Sequence, residues 1–256
     1  MAATDQLLEQ ALARDPARPL LTYYDDATGE RAELSATTLA NWVAKTANLL
    51  RDELDVRPGD PVAVLLPTHW QTAAVLLATW AAGGVAGTDP AGATAAFVDL
   101  AHLAEARAAD PDELVVLSLA PLGQGLAKPE EGALDYARTV RAHGDRFTPY
   151  HRIPDAAAAV DDDGRVLTGA DLLGESRRRA AELGLHVMDR VLSTLAWEDP
   201  ADWVDGLLAP LAAGASLVLC AHPDRHALSH RAEAEQVTAT LGVSLHGVRH
   251  CDSGTR

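Results

Sequence analysis

Residues 56–90 read VRPGDPVAVLLPTHWQTAAVLLATWAAGGVAGTDP, and this stretch decides the fold. The turn Arg57-Pro58-Gly59-Asp60 leads into an unbroken apolar run at 62–66, the pattern of a strand buried on both faces. Residues 70–82 are apolar around nearly the whole helical circumference, which predicts a buried helix ended by Gly83-Gly84. A short strand is expected at 85–88. Strand, helix and strand in that order form a parallel unit, because the chain must cross over before pairing again.

Working upstream, Thr4 can cap a helix over 5–14 with Leu7, Leu8 and Leu12 on one face. Residues 19–24 and 31–34 read as a hairpin around DDATGE, with Gly29 at its tight point. Ser35 then caps a long helix to about residue 54, carrying Leu39, Trp42, Val43, Leu49 and Leu50 at helical spacing. Downstream, strands are predicted at 95–98, 114–119, 157–160, 165–167, 191–195 and 216–220. Helices are predicted at 100–108, 134–142, 170–183, 201–212 and 226–241. Residues 121–132 and 145–154 are the long loops, and neither has the composition of a linker. The alternation argues for one α/β domain over 1–256 with a mostly parallel sheet.

Thirty-seven acidic against 21 basic residues give a net charge of −16, which disfavours nucleic acid and anionic membrane as partners. Lysine occurs only at Lys45 and Lys128, so any chemistry that needs a lysine has two candidates. Cys220 and Cys251 are too few for a disulfide scaffold, and the amphipathic, charged start lacks a signal-peptide core. The longest apolar stretch, 73–85, is too short to span a bilayer. A cytoplasmic location is expected.

The order of elements through Pro90, and residues 56–67 above all, resembles the N-terminal part of the adenylate-forming superfamily of acyl-CoA synthetases, adenylation domains and luciferases. That part pairs a hairpin and helix with a GD-x-V strand ending in proline and an apolar helix. A second stretch, GADLLGESRRRAAELGLHVMDRVLSTLAW followed by DGLLAPLAAGASLVLC, is similar to the segment after the superfamily's phosphate loop. The resemblance implies stacked sheets with helices between and outside them, an αβαβα layering.

Between the two matching blocks the chain departs from the pattern. The family joins two strands there by a loop of the type T-S-G-T-T-G-x-P-K, whose backbone amides and lysine hold a triphosphate. Here the joint is Asp161-Asp162-Asp163-Gly164, a good hairpin turn whose carboxylates repel phosphate, and neither lysine is near it. After the strand at 191–195 the family often carries a histidine; this chain has Ala196-Trp197-Glu198. Residues 1–256 also contain nothing similar to the family's adenine motif, ribose-binding aspartate or C-terminal catalytic lysine.

Other constellations have bland readings. Gly123-Gln124-Gly125 with Lys128 follows a strand, but Pro129 denies it a helix N-terminus, so a flexible loop is expected. His222, His226 and His230 fall at four-residue spacing, with His246, His250 and Cys251 near the end; Pro223 takes His222 off any helix, and surface histidines are expected in a loosely ordered tail. Ser216 and Cys220 belong to a core strand, and the tryptophans to core or cleft walls. Arg177-Arg178-Arg179 reads as a solvated helix face, with docking of an acidic partner as the alternative.

We therefore assign no catalytic, cofactor-binding or metal-ligating residue and expect no bound cofactor. The expectation is a non-catalytic binding or regulatory module that has lost ATP binding. The alternative is an enzyme acting on acyl, acyl-adenylate or acyl-CoA substrates, which either reuses the ancestral cleft or needs a second chain for the missing half. Uncovered sheet edges or apolar faces point to a homodimer or an unidentified protein partner.

Overall fold

The structure, a computed structural model, describes residues 4–251. In chain order it contains helix α1 (Asp5–Arg14), the hairpin β1 (Pro19–Asp25) and β2 (Glu30–Ser35), α2 (Ala36–Asp52), β3 (Pro61–Leu65), α3 (Trp70–Ala82) and β4 (Val85–Gly87). There follow β5 (Ala95–Asp99), α4 (Leu103–Ala109), β6 (Glu113–Leu117), β7 (Leu134–Asp135), α5 (Tyr136–Thr139), β8 (Ala158–Asp162) and β9 (Arg165–Thr168). The last part holds α6 (Gly169–Glu182), β10 (Arg190–Ser193), α7 (Pro200–Trp203), α8 (Ala209–Ala213), β11 (Ser216–Ala221), α9 (Arg225–Ala234), β12 (Ala239–Leu241) and β13 (Arg249–His250).

Two sheets result. One runs β7-β6-β5-β3-β4-β8-β9 and the other β13-β12-β10-β11-β1-β2. Every pairing is parallel except the two hairpins, β8–β9 and β1–β2, each of which closes one edge.

The period-two alternation of each strand sorts its side chains between layers. Val62 and Val64 of β3 enter the large core between the sheets, whereas Ala63 and Leu65 face outward under Leu103 and Ala106 of α4. In β11, Leu217 and Leu219 point inward, while Val218 and Cys220 meet Leu228 and Ala232 of α9. Helices α2, α3, α6 and α8 fill the space between the sheets through Leu39, Leu76, Leu172 and Leu211. The order is therefore α4, sheet, inner helices, sheet, α9: the αβαβα layering expected. Each fully buried leucine of that interior contributes on the order of 1.5–3 kcal/mol.

Local chemistry sets the helix ends. The Ser35 hydroxyl accepts the Thr38 N–H at 3.1 Å to start α2, and Gly83, at φ 86°, ends α3 in the left-handed region. The structure departs from the sequence reading in two segments. Residues 134–142 are not one helix: Leu134 and Asp135 pair with β6, and the Asp135 carboxylate accepts N–H groups of Ala137 and Arg138 to start α5. The helix predicted over 226–241 stops at Ala234; Gln236 takes φ 55°, and Ala239–Leu241 becomes a buried strand beside β10. The tail is also more structured than expected, since β13 pairs with β12 and Cys251 is buried.

The arginine run is not a uniformly solvated face. Arg178 meets Glu175 and Glu182 at the surface, and Arg177 reaches Gln6. Arg179 turns inward and grips the buried Asp205 with two bonds, Nε–Oδ1 at 2.7 Å and Nη2–Oδ2 at 2.9 Å. Removing the guanidinium takes both of these bonds from a buried carboxylate. Arg179→Ala is therefore expected to cost about 3–5 kcal/mol in urea unfolding, and Arg178→Ala under about 1 kcal/mol.

A second network ties both sheet hairpin strands to the end of α9. Glu235 accepts from Tyr24 Oη at 2.6 Å, Arg31 Nη2 at 2.9 Å and Arg190. Burial alone would raise its carboxyl; those three hydrogen bonds overcome it and bring the value from 4.5 down to about 2. Because the folded value is depressed, this stabilisation is present above pH 4.5 and is lost as pH falls from 4.5 toward 2. Urea midpoints across that window should fall less steeply for Glu235→Gln than for the parent chain.

Candidate binding cleft

The carboxyl ends of β3, β4, β10 and β11 converge on a cleft of about 680 Å³ between the two sheets. Open α/β sheets bind ligands at the carboxyl ends of their strands, and the volume lies in the range of small-molecule sites. One wall is made by residues 64–68, Thr88 after β4, and His102 and Glu105 of the α4 segment. The facing wall is made by residues 194–198 and 220–223. No lysine or arginine of the described residues lines it.

Two histidines on opposite walls are each held by an aspartate. His222 Nδ1 lies 2.9 Å from Asp25 Oδ1 at the end of β1, and His102 Nδ1 lies 2.7 Å from Asp99 Oδ1 at the end of β5. A carboxylate only accepts, so Nδ1 carries the proton in both. Burial alone would raise the Asp25 carboxyl, but bonds from His222, the Ala27 N–H and Thr28 hold it below the usual carboxylate range. His222 takes φ 46°, so its imidazole is presented from a left-handed backbone after Ala221 rather than from α9. Of the other histidines at that spacing, His226 and His230 lie exposed on α9, as surface residues. Glu105 and Glu198 are exposed at the cleft, and neither forms an ion pair with another described residue.

Trp197 is a cleft wall, buried at 3% exposure. Its indole lies on Gly206 in a π-helical turn, Val204–Leu208, that joins α7 to α8. A Cβ on Gly206 would sit 2.2 Å from the indole Nε1, so only glycine admits this packing. Cys220 and Ser216 are buried, and burial pushes the Cys220 thiol up, away from nucleophilic reactivity.

Beneath the cleft, behind Thr68, lies a polar pair the sequence reading did not single out. His69 Nδ1 accepts the Gln71 N–H at 3.1 Å, and Nε2 lies 3.8 Å from Oε2 of the buried Glu30. Burial, outweighing the pull of Glu30, lowers the imidazole's value and keeps it neutral. The loop after β6 covers this region: the Leu122 N–H donates to Glu30 Oε1 at 3.3 Å. The Gly123-Gln124-Gly125 segment of that loop cradles a carboxylate of the chain itself. Asp135 Oδ2 accepts the Leu126 N–H at 2.9 Å and lies 2.7 Å from where a Gly125 Cβ would be, while Lys128 is exposed.

The acidic hairpin takes the form the sequence predicts, tightened to a two-residue loop. Asp163 at φ 49° and Gly164 at φ 86° connect β8 to β9, and Asp161 Oδ1 accepts the Gly164 N–H at 2.7 Å. Val160 pairs with Ala86, so the loop lies at the same sheet end as Thr88, one strand away from the cleft wall. None of its three aspartates lines the cleft. Among the described residues no group of three or more His, Cys, Asp or Glu side chains is arranged to hold a metal ion, and no helix is long and apolar enough to cross a membrane.

The histidine of the Asp25–His222 pair was visible in sequence, but its partner lies 197 positions away and only the β1–β11 pairing brings them together. His102 and Glu105, three apart at the start of one helix, were a readable signal that sequence analysis passed over. Gly206→Ala should displace Trp197, costing about 1–3 kcal/mol of stability. The near-UV circular dichroism of the tryptophans, measured beside thermal unfolding, will report the displaced wall.

The AMP-binding enzyme family matches residues 8–109, from α1 through α4. Among solved structures, acetoacetyl-CoA synthetase from Streptomyces lividans superposes with a TM-score of 0.76 at 22% identity, over 94% of this chain and 42% of that one. A Brucella canis acyl-CoA synthetase gives 0.75 at 19% identity, over 94% and 47%. The anthranilate CoA ligase AuaEII, solved with anthranoyl-AMP, gives 0.69 at 16% identity, over 94% and 49%. These likenesses establish the fold as that of the N-terminal part of acyl-CoA synthetases, and the chain spans less than half the length of each. A Mycobacterium tuberculosis (strain ATCC 25618 / H37Rv) protein named as a TIGR03089 family protein is 49% identical over 243 residues, which cover 92% of this chain and 96% of that one. With that relative spanning nearly its whole length, the chain belongs to the TIGR03089 family, built on the fold of AMP-binding enzymes.

Proposed function

We propose that this protein is a non-catalytic relative of the acyl-CoA synthetases, a binding module that keeps the inter-sheet cleft and has given up the nucleotide. One observation carries the reading: a ligand-sized cleft at the strands' carboxyl ends has no lysine or arginine in its lining, only Glu105, Glu198, His102 and His222 as ionisable walls besides Cys220. Polyphosphate recognition needs backbone amides and positive charge converging on one point. The β8–β9 loop, where the superfamily's phosphate loop is expected, supplies carboxylates, and the glycine loop after β6 is occupied by Asp135. Adenylation depends on charge stabilisation of the transferring group, and the residues described here supply none in the cleft.

The competing reading is an enzyme acting on acyl-type substrates, and the Asp25–His222 pair favours it, because an aspartate-held imidazole with a free Nε2 is the arrangement of a general base. The two readings part on nucleotide chemistry. Calorimetric titration of the whole chain with MgATP and with AMP should show no saturable binding up to millimolar concentrations, and ATP–pyrophosphate exchange with a panel of carboxylic acids should stay at background. Micromolar MgATP binding, or exchange by the purified chain, overturns the proposal.

A further inference from the structure

We propose that the ligand of the inter-sheet cleft is a small amphipathic amine, its protonated nitrogen at the mouth and an apolar body inside. The inference deepens the binding-module reading and rests on it. Its basis is the charge of the cleft lining. Glu105 and Glu198 stand at the mouth as carboxylates without an ion-pair partner among the described residues. His102 and His222 each spend Nδ1–H on an aspartate. The hydroxyl of Thr68 is already committed to the Leu195 carbonyl at 2.9 Å. Each wall therefore carries a carboxylate with no lysine or arginine beside it, among neutral polar side chains such as Thr88 and Thr194. A ligand that satisfies the two carboxylates brings its own donors and a positive charge.

An ammonium group has three donors and no acceptor. A carboxylate on each wall sets a negative potential at the mouth, and the chain's net charge of −16 adds to it. Deeper in, Leu66 and Trp197 are buried apolar surface lining the cleft, suited to an alkyl or aryl body. A bare divalent ion fits less well, because no three of the described acidic, histidine or cysteine side chains are arranged around one point. A phosphate or carboxylate ligand would set negative charge against Glu105 and Glu198 with no lysine or arginine in the lining to offset it.

The test uses three probes of equal length: 1-hexylamine hydrochloride, 1-hexanol and sodium hexanoate, titrated calorimetrically into the full chain at pH 7.5 and low salt. Hexylammonium is expected to bind tightest, roughly 5-fold or more above hexanol, with hexanoate weakest. In the double variant Glu105→Gln/Glu198→Gln, both positions being exposed, hexylammonium should weaken by about 5-fold or more while hexanol stays unchanged. Hexanoate binding as tightly as hexylammonium, hexylammonium failing to saturate, or hexylammonium affinity unmoved in the double variant would each overturn the assignment. A parallel MgATP titration separates the two ideas. Preference for hexanoate with MgATP silent sinks the amine alone, whereas saturable micromolar MgATP sinks the reading beneath it.

Discussion

A parallel sheet has two apolar faces, and neither can be left to water. The whole architecture follows from meeting that constraint twice with one chain. The inner faces of both sheets share a single set of helices, so Val62, Phe97, Val191 and Leu217 belong to the same core. The outer faces are covered separately, one by α4 and the other by α9. Because the central strands of each sheet run parallel, their carboxyl ends gather on one side, and the loops leaving them have no further strand to enter. The cleft is the space those loops enclose.

This arrangement explains why the fold was legible and where the reading failed. Continuous apolar strands and a helix apolar on every side, Trp70–Ala82, can only be interior, and residues 61–87 fold as their composition requires. The misread elements are short, one at a sheet edge and one next to it. Leu134–Asp135 is two residues long, and Ala239–Leu241 is three, too few for periodicity to distinguish a strand from the end of a helix. Their state is decided by a neighbouring strand, which is tertiary information. The same holds for Arg179: charge alone placed it with Arg177 and Arg178 on the surface, and only the position of Asp205 across α6 turns it inward.

The site was half legible for a similar reason. The acidic Asp161–Asp163 loop, read as a hairpin turn, is one, and its tight geometry comes from the Asp-Gly pair that tolerates positive φ. What sequence did not disclose is that its carboxylates stop short of the cleft, and that the charge character of the walls comes from residues scattered along the chain: Glu105, Glu198 and the two aspartate-held histidines. No local window contains more than two of them. A site assembled from strand ends is dispersed in sequence by construction, and local pattern can show its absence of lysine more readily than its presence of acceptors.

The pairing of β1 with β11 carries a consequence for biogenesis. Leu21 leaves the ribosome early, yet its neighbour in the sheet, Leu217, is made only after the entire β3–β9 sheet has been translated. That intervening sheet is contiguous in sequence and can assemble while synthesis continues, with the N-terminal hairpin waiting beside it. Closure of the second sheet is then the slow, long-range event, and until β11 is made the hairpin keeps one unsatisfied edge, which leaves the nascent chain dependent on chaperones for that interval.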